Sequence, residues 1–231
     1  MKKLRFEVIF IALSIVVLGL CIKSGLNSIS DNSRVVTVKG LAEQDVEADR
    51  VIWPVQFRVV GNNLGSLYKE VNANSAVIRN FLIKNGIKES EIAANAPQVV
   101  DRAAETYSNG YTDRYSVSST MTVSTSNVRL VRKLLAKQGD LIEKGISIVN
   151  DYSNQVVYEF TKLNSVKPKM IETATRNARI AADKFATDSQ SELGKIKNAN
   201  QGQISISDRD DNTHYIKKIR VVTSIEYYLK D

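Results

Sequence analysis

Only a few side chains in this sequence have the chemistry of a catalytic or metal-binding group. The 231 residues include one His and one Cys. An intramolecular disulfide and a cysteine zinc cage are therefore excluded, and so is a metal site built from several histidines. A Ser-His-Asp or Cys-His centre would have to use His214. No nucleophile accompanies His214 in a recognisable motif, and we interpret it as a surface-loop histidine.

Three carboxylates in the first quarter of the chain alternate along the sequence: Asp45, Glu47 and Asp49. On a strand they would share one face, because successive side chains point to opposite sides. General acid–base catalysis needs two such groups in a cleft with separated pKa values. A solvated strand end explains the same spacing, so a hydrolase that uses these carboxylates or His214 is kept only as a minor alternative.

A second acidic group, Asp208, Asp210 and Asn212, imitates the start of a calcium-binding loop. The imitation stops there, since Thr213 and Ile219 stand where such a loop has its Gly and its bidentate Glu. We interpret the segment as the polar tip of a hairpin. The chain also lacks a phosphate-binding P-loop, a dinucleotide-binding glycine motif and a G-x-S-x-G elbow. We predict no catalytic residues, no cofactor and no metal.

Residues 1–30 have the pattern of a targeting segment. A basic start (Lys2, Lys3 and Arg5) precedes an uncharged run of 15 residues, Val8–Ile22. As a helix this run would be about 22 Å long, which is short for a bilayer core of about 30 Å. If Lys23 snorkels, the membrane segment extends over residues 8–29. No small-x-small cleavage site follows, so an uncleaved signal anchor is favoured over a removed signal peptide.

The positive N-terminal flank places residues 31–231 outside the cytoplasm, in the periplasm or the extracellular space. A lipoprotein reading of Cys21 fails because Leu20 is not the small residue that a lipobox requires, and Cys21 is interpreted as an apolar anchor residue. The exported part has 28 basic and 24 acidic residues, near +4, with the signs interspersed. This balance predicts no nucleic-acid partner.

Hydrophobic periodicity predicts the elements of the exported part. Residues 34–39 indicate a strand that ends at Gly40, and Val51 to Val59 alternate as a longer strand. Pro54 lies within this second strand and predicts an edge position or a bulge, because proline cannot donate to a ladder. Further strands are predicted over residues 97–107, 115–123, 146–149, 156–160, 196–206 and 219–229, with an Asn109-Gly110 hairpin turn.

Three helices are predicted between these strands. The first follows Asn63 and ends at Asn85-Gly86, and the second begins at Ser126-Asn127. The third runs over residues 165–191 with Pro168 in its first turn. Its predicted apolar seam is rich in alanine: Val166, Met170, Ala174, Ala178, Ala181 and Phe185. The order predicts an α+β domain over residues 31–231, with a mainly antiparallel sheet and about three helices, a possible internal duplication, and one preceding hydrophobic helix.

Several segments, taken in order, resemble the SIMPL-domain family. Val36-Thr37-Val38-Lys39-Gly40, followed by Val46-Glu47-Ala48-Asp49-Arg50-Val51, is similar to the family's opening strand and its V-x-A-x-D segment. The later matches are the Asn85-Gly86-Ile87 step with Glu91-Ile92, the strand from Tyr115 to Val123, and the helix from Ala174 to Ala186 followed by Leu193-Gly194-Lys195-Ile196. The resemblance covers residues 34–229.

The resemblance implies a cell-envelope protein without an established enzymatic activity, with relatives that form ring- or channel-like oligomers and others linked to oxidative-stress defence. It offers no catalytic residues to carry over. Our first hypothesis is a membrane-tethered, non-enzymatic envelope protein whose domain self-assembles into a homo-oligomer, with no small-molecule substrate assigned. The alternative is an adaptor that binds a ligand or partner as a monomer or dimer.

Overall fold

Strands with alternating apolar residues and helices with apolar seams make up the fold, as the periodicity predicts. The computed structural model describes residues 10–23, 34–104, 112–149, 151 and 154–230. The described strands are β1 (Val35–Glu47), β2 (Arg50–Gly61), β3 (Ile92–Ala94), β4 (Gln98–Asp101), β5 (Tyr115–Thr125), β6 (Ile148–Val149), β7 (Val157–Glu159), β8 (Glu192–Asp208) and β9 (Ile216–Lys230). The described helices are α1 (10–23), α2 (Leu64–Lys84), α3 (Val128–Ala136), α4 (Gly139–Ile142) and α5 (Leu163–Asp188).

This composition of antiparallel sheets and helices confirms the α+β class. The predicted Asn109-Gly110 turn and the basic N-terminal flank lie outside the described residues. Of the predicted membrane segment 8–29, residues 10–23 form α1. No helix in the described part of the chain is long and apolar enough to cross a membrane.

The chain forms two compact units. The three-strand unit lies within Met1–Gln44, Asn164–Ile206 and Ile219–Asp231. The six-strand unit comprises Asp45–Leu163 and Ser207–Lys218.

The three-strand unit is built on a sheet of order β1-β9-β8 with α5 packed on it. Its core combines alanines of α5 with larger apolar residues of the sheet: Val38, Ala178, Ala182, Ile225 and Tyr227. The predicted strand end at Gly40 is wrong, since β1 continues to Glu47. Gly40 instead allows the helix to approach, because a Cβ atom there would lie 1.9 Å from the Ala174 carbonyl oxygen.

The seam of α5 also differs from its prediction. The buried residues are Met170, Ala174, Ala178, Ala182 and Ala186, whereas Phe185 is 61% exposed. The predicted seam continues after Ala178 with Ala181 and Phe185. The observed seam instead keeps a spacing of four residues throughout, and residues four apart form one of the ridges on a helix surface. The helix begins at Leu163, so Pro168 is its sixth residue and lies beyond the predicted first turn.

The six-strand unit has the sheet order β3-β5-β2-β6, with β4 also beside β5 and β7 also beside β2. Strands β2 and β5 pair antiparallel along their length, from Val51 opposite Thr125 to Gly61 opposite Tyr115. Helices α2 and α3 contribute to the core on this sheet, together with the inward residues of both strands. The predicted strand over residues 115–123 is confirmed as β5, and its apolar residues Val117, Met121 and Val123 are buried.

The predicted edge or bulge at Pro54 is wrong. Pro54 lies in register opposite Thr122, in a strand with neighbours on both sides. On the side away from β5, β7 pairs with Arg50–Ile52 and β6 pairs with Gln56–Phe57. Within the described residues these two short strands leave a gap at residues 53–55, where a residue without an N–H group costs no ladder bond.

The predicted starts of α2 and α3 and the predicted end of α2 are confirmed, whereas α5 runs over Leu163–Asp188 instead of the predicted 165–191. The side chain of Asn63 accepts a hydrogen bond from the Ser66 amide at 3.0 Å, and that of Asn127 accepts one from the Leu130 amide at 3.1 Å. Helix α2 ends at Asn85, followed by Gly86 with a φ of +99°. That positive φ is the conformation that favours glycine after a helix.

Candidate functional site

The calcium-like segment forms the loop between β8 and β9, as the hairpin interpretation predicts. The carboxylate of Asp210 accepts hydrogen bonds from the amides of Asn212 and Thr213, at 2.9 and 2.8 Å, and from the Thr213 hydroxyl. Arg209 Nε adds an ion pair at 2.9 Å. The Thr213 hydroxyl bond, followed by the Arg209 bond, holds the pKa of Asp210 far below its usual range. Hydrogen-bond donors of the loop itself therefore occupy the Asp210 carboxylate oxygens that a calcium loop would offer to the ion.

Asp208 contacts two side chains, His214 and Lys217, at the base of this loop. His214 Nδ1 lies 2.7 Å from Asp208 Oδ2, and Lys217 Nζ pairs with the other oxygen. Burial raises the pKa of Asp208, but the hydrogen bonds from Lys217 and His214 outweigh it, so the net pKa is lowered. Sequence reasoning missed this cluster because it interpreted each residue separately.

A histidine held by a carboxylate is also the orienting pair of a hydrolytic triad. Here the third member is not in place: within the described residues, no hydroxyl or thiol hydrogen-bonds His214. Lys217 also competes for the same carboxylate, and the His214 side chain is 52% exposed. The arrangement joins the two arms of the hairpin.

The Asp208 cluster predicts an acid-dependent stability. Replacement of Asp208 by Asn leaves the Lys217 ammonium, whose side chain is only 12% exposed, without its carboxylate. We therefore expect the variant to be less stable at pH 7 by about 1–3 kcal/mol, the range for a buried polar group that loses its partner. The folded pKa of Asp208 lies below its ordinary value of about 3.9. The contribution is therefore complete above pH 5 and is lost as the pH falls below 4, through the lowered pKa.

Urea unfolding of Asp208→Asn and wild type between pH 7 and pH 2.5 measures this difference. Asp211→Asn is the matched control, since Asp211 is exposed in the same loop. A constant difference between Asp208→Asn and wild type down to pH 2.5 would contradict the prediction.

The three alternating carboxylates do not form a pair for acid–base chemistry. Glu47 Oε2 binds Arg129 Nη2 at 3.1 Å and is exposed. Asp49 lies after the end of β1, where its Oδ1 accepts hydrogen bonds from the Thr161 amide and hydroxyl at 2.8 and 3.0 Å. Asp49 Oδ2 is buried without a hydrogen-bond partner among the described residues. Glu47 and Asp49 are therefore held by different parts of the fold. They do not share the predicted strand face, because β1 ends at Glu47.

The tip of the β8–β9 hairpin is fixed within the six-strand unit through Tyr215. The Ala48 amide donates to the Tyr215 carbonyl at 2.8 Å. The Arg132 guanidinium lies 3.4 Å from the centre of the Tyr215 ring, and the Tyr158 ring meets it edge-on at 6.3 Å. These are a cation–π contact and a T-shaped aromatic pair, both of which stabilise partly buried rings. The hairpin tip is thus a packed structural element.

The surface with the features of an interaction site is the edge strand β8. It has 17 residues, of which Leu193, Gly194 and Ile204 are half-buried and the other 14 are exposed. It pairs with β9 on one side, and the described residues supply no strand on its other side. Such an edge presents backbone N–H and C=O groups that can pair with a further strand. The middle of β8, residues 198–203, is uncharged and rich in Asn and Gln.

Three other features, which are Pro54, the alanine seam of α5 and the Ser/Thr residues of β5, are partly or fully covered by neighbouring elements. Pro54 lies inside a sheet, and the alanine seam of α5 is buried on its own sheet. The Ser/Thr face of β5 is half-buried at Ser118 and Thr120 and fully buried at Ser116.

The fold defines an α+β protein with two antiparallel sheets, and within the described residues one side of its edge strand β8 is unpaired. A family model described as SIMPL, a protein of unknown function (DUF541), matches residues 36–219. The chain therefore belongs to the SIMPL family, which confirms the resemblance seen in the sequence. Membership indicates a protein of the cell envelope. No curated protein matches the sequence of the chain significantly.

Proposed function

We propose that this protein is a non-enzymatic envelope protein whose exported part self-assembles by strand pairing at the β8 edge. The observation that carries the proposal is the length and exposure of β8, a 17-residue strand with one side unpaired in the part of the chain that the structure describes. At about 3.3 Å per residue, this edge extends over about 55 Å. Native proteins usually shorten, cover or charge such edges, because an open edge recruits other chains.

The same sheet supplies a second edge for the partner copy. Strand β1, with 13 residues, lies at the opposite side of the β1-β9-β8 order. Pairing of β8 in one copy with β1 in the next is a head-to-tail contact, which generates a closed ring if the rotation closes. In a parallel β8–β8 pair, Lys195 and Lys197 would lie opposite the same residues of the second copy and repel them, which disfavours that pairing.

The N-terminal segment is proposed to bring the chain to the membrane. The apolar side chains of α1 are exposed on every side of the helix, from Phe10 at 67% to Ile22 at 54%. Membrane insertion would remove this surface from water. Alkaline extraction of membranes tests the anchor, and the mass of the mature chain separates an uncleaved anchor from a removed signal peptide. Release of the intact, full-length chain by alkali would contradict the proposed anchoring.

A contribution to oxidative-stress defence is proposed from the family resemblance alone. One Cys and three Met residues are too few for the chain itself to consume oxidant. We therefore expect any protection to depend on assembly. Peroxide survival of cells with an assembly-defective variant, compared with wild type, measures this dependence.

Proline substitution in β8 separates assembly from folding. Along an edge strand, alternate residues direct their N–H groups to the neighbouring strand and to the open side. Of Asn198→Pro and Ala199→Pro, we expect one to weaken the β8–β9 pairing and to lower stability. The other should have a free energy of unfolding within about 0.5 kcal/mol of wild type. It should still lose the oligomer, because it removes a hydrogen-bond donor from the open edge.

Circular dichroism melting and light scattering on both variants provide the two readouts. Each proline variant controls for the other, since both lie at the centre of the same strand. An intact oligomer in the proline variant that keeps its stability would exclude β8 as the assembly edge.

A further inference from the structure

A groove between α5 and the start of β8 has the features of a binding site for an organic anion. It has a volume of about 720 Å³, within the range of small-molecule sites. Arg176 and Arg179 line one wall, one helical turn apart on the same face of α5. Lys195 of β8 lines the opposite wall. All the lining residues belong to the three-strand unit.

The three cations of the groove differ from their neighbours in their charge partners. Lys197 and Arg220 in the same sheet pair with Glu226 and Glu43, at 3.4 and 3.6 Å. Among the described residues, no carboxylate oxygen lies within ion-pair distance of Arg176, Arg179 or Lys195. A bound anion would therefore complete the electrostatics of the groove.

The groove also has apolar walls and a hydroxyl group. Ile196 is 52% exposed, and Tyr227, a residue that is 4% exposed, also lines the groove. Burial raises the pKa of Tyr227, while the charge of Arg179 lowers it and that of Asp183 raises it. The net rise keeps the phenol protonated, as a hydrogen-bond donor. Glu172 is the one carboxylate on the lining, at the turn of α5 before Arg176.

We propose that this groove binds a small organic anion, a phosphate or carboxylate group attached to an apolar body. The arginines receive the anionic group, since their planar guanidinium forks match its oxygens, and Ile196 and Tyr227 contact the apolar body. The same chemistry occurs in a free metabolite and in a lipid head group. The proposal goes beyond self-assembly, because its arginines lie on α5 and not on the open edge.

Calorimetric titration of the full chain in phosphatidylcholine nanodiscs with phenyl phosphate tests the site. We expect binding that weakens at least about tenfold in Arg176→Gln/Arg179→Gln, since each charge-assisted hydrogen bond contributes on that order. Lys184→Gln, which removes a cation of α5 outside the groove, should bind as wild type. Phenol and inorganic phosphate, each lacking one half of the ligand, should bind at least about tenfold more weakly. Hydrogen exchange should slow at residues 194–196 on binding.

Nanodiscs of phosphatidylglycerol distinguish the two sources of the anion. Competition with phenyl phosphate, lost in the double variant, would assign the site to a lipid head group, and its absence would assign a free anion. Equal binding by wild type and a folded double variant would overturn the proposal. So would the absence of binding to both phenyl phosphate and the anionic lipid. An unchanged oligomer mass in the double variant keeps this result independent of assembly.

Discussion

Gly40→Ala is expected to destabilise the protein by about 3 kcal/mol, the upper part of the range for overpacked cores. The added methyl group would lie 1.9 Å from the Ala174 carbonyl oxygen and 2.6 Å from the Ala178 amide nitrogen. Both are backbone atoms of α5, so no side-chain rotation relieves the clash. The helix would have to move away from β1, which opens the packing around Ala178 and Ala182. Urea unfolding followed by circular dichroism measures the loss.

Gly139→Ala is the matched control for this substitution. Gly139 begins α4, and a Cβ atom there would have no neighbour within 4 Å. Because alanine favours helix more than glycine does, we expect this variant to be neutral or more stable by up to about 1 kcal/mol. If the free energy of unfolding of Gly40→Ala lies within about 0.5 kcal/mol of the wild-type value, α5 does not pack closely on β1 at Gly40.

Phe57→Ala is expected to cost about 3–5 kcal/mol, the range for loss of a buried aromatic ring. Phe57 is 1% exposed and lies in the middle of β2, opposite Ser119 of β5 and Ile148 of β6. Removal of the ring leaves a cavity in the core under the sheet, which a strand with neighbours on both sides cannot close by moving. The fluorescence of Trp53, the single tryptophan, reports the unfolding of the same core.

Val60→Ala is the control on the same strand. Val60 is 45% exposed, so its truncation is expected to cost less than about 1 kcal/mol. A similar loss for both variants would show that β2 does not have the predicted buried and exposed faces.

The strands and helices could be predicted where one periodicity extends over a whole element. Residues Val51 to Val59 alternate through β2, and Asn63 and Asn127 mark helix starts by a local hydrogen bond. The errors arose where a distant element decides the local structure. Gly40 marks a strand end by composition, but its position is fixed by α5, more than 120 residues later. Pro54 suggests an edge, but two short strands from a much later part of the chain pair with β2 on either side of it and leave a gap at its position.

The candidate sites show the same division. The polar character of the loop between β8 and β9 follows from its composition, and the absence of the calcium-loop Gly and Glu predicts the hairpin tip. The convergence of His214 and Lys217 on Asp208 depends on the register of β8 with β9, which the sequence does not reveal. The open side of β8 could not be predicted either, because strand order in a sheet is a property of the whole fold. The groove beside it combines residues of α5, β8 and β9, which come together only when the helix packs on the sheet.

Self-assembly is tested most directly by the mass of residues 31–231 in solution, measured by size-exclusion chromatography with light scattering. We expect one large, discrete species whose mass is a fixed multiple of the chain, because the proposed head-to-tail contacts at β8 would close into a ring. We expect the stable proline variant in β8 to have the mass of one chain. A monomeric wild-type domain at micromolar concentration would contradict the proposed assembly and favour an adaptor that acts as a single chain.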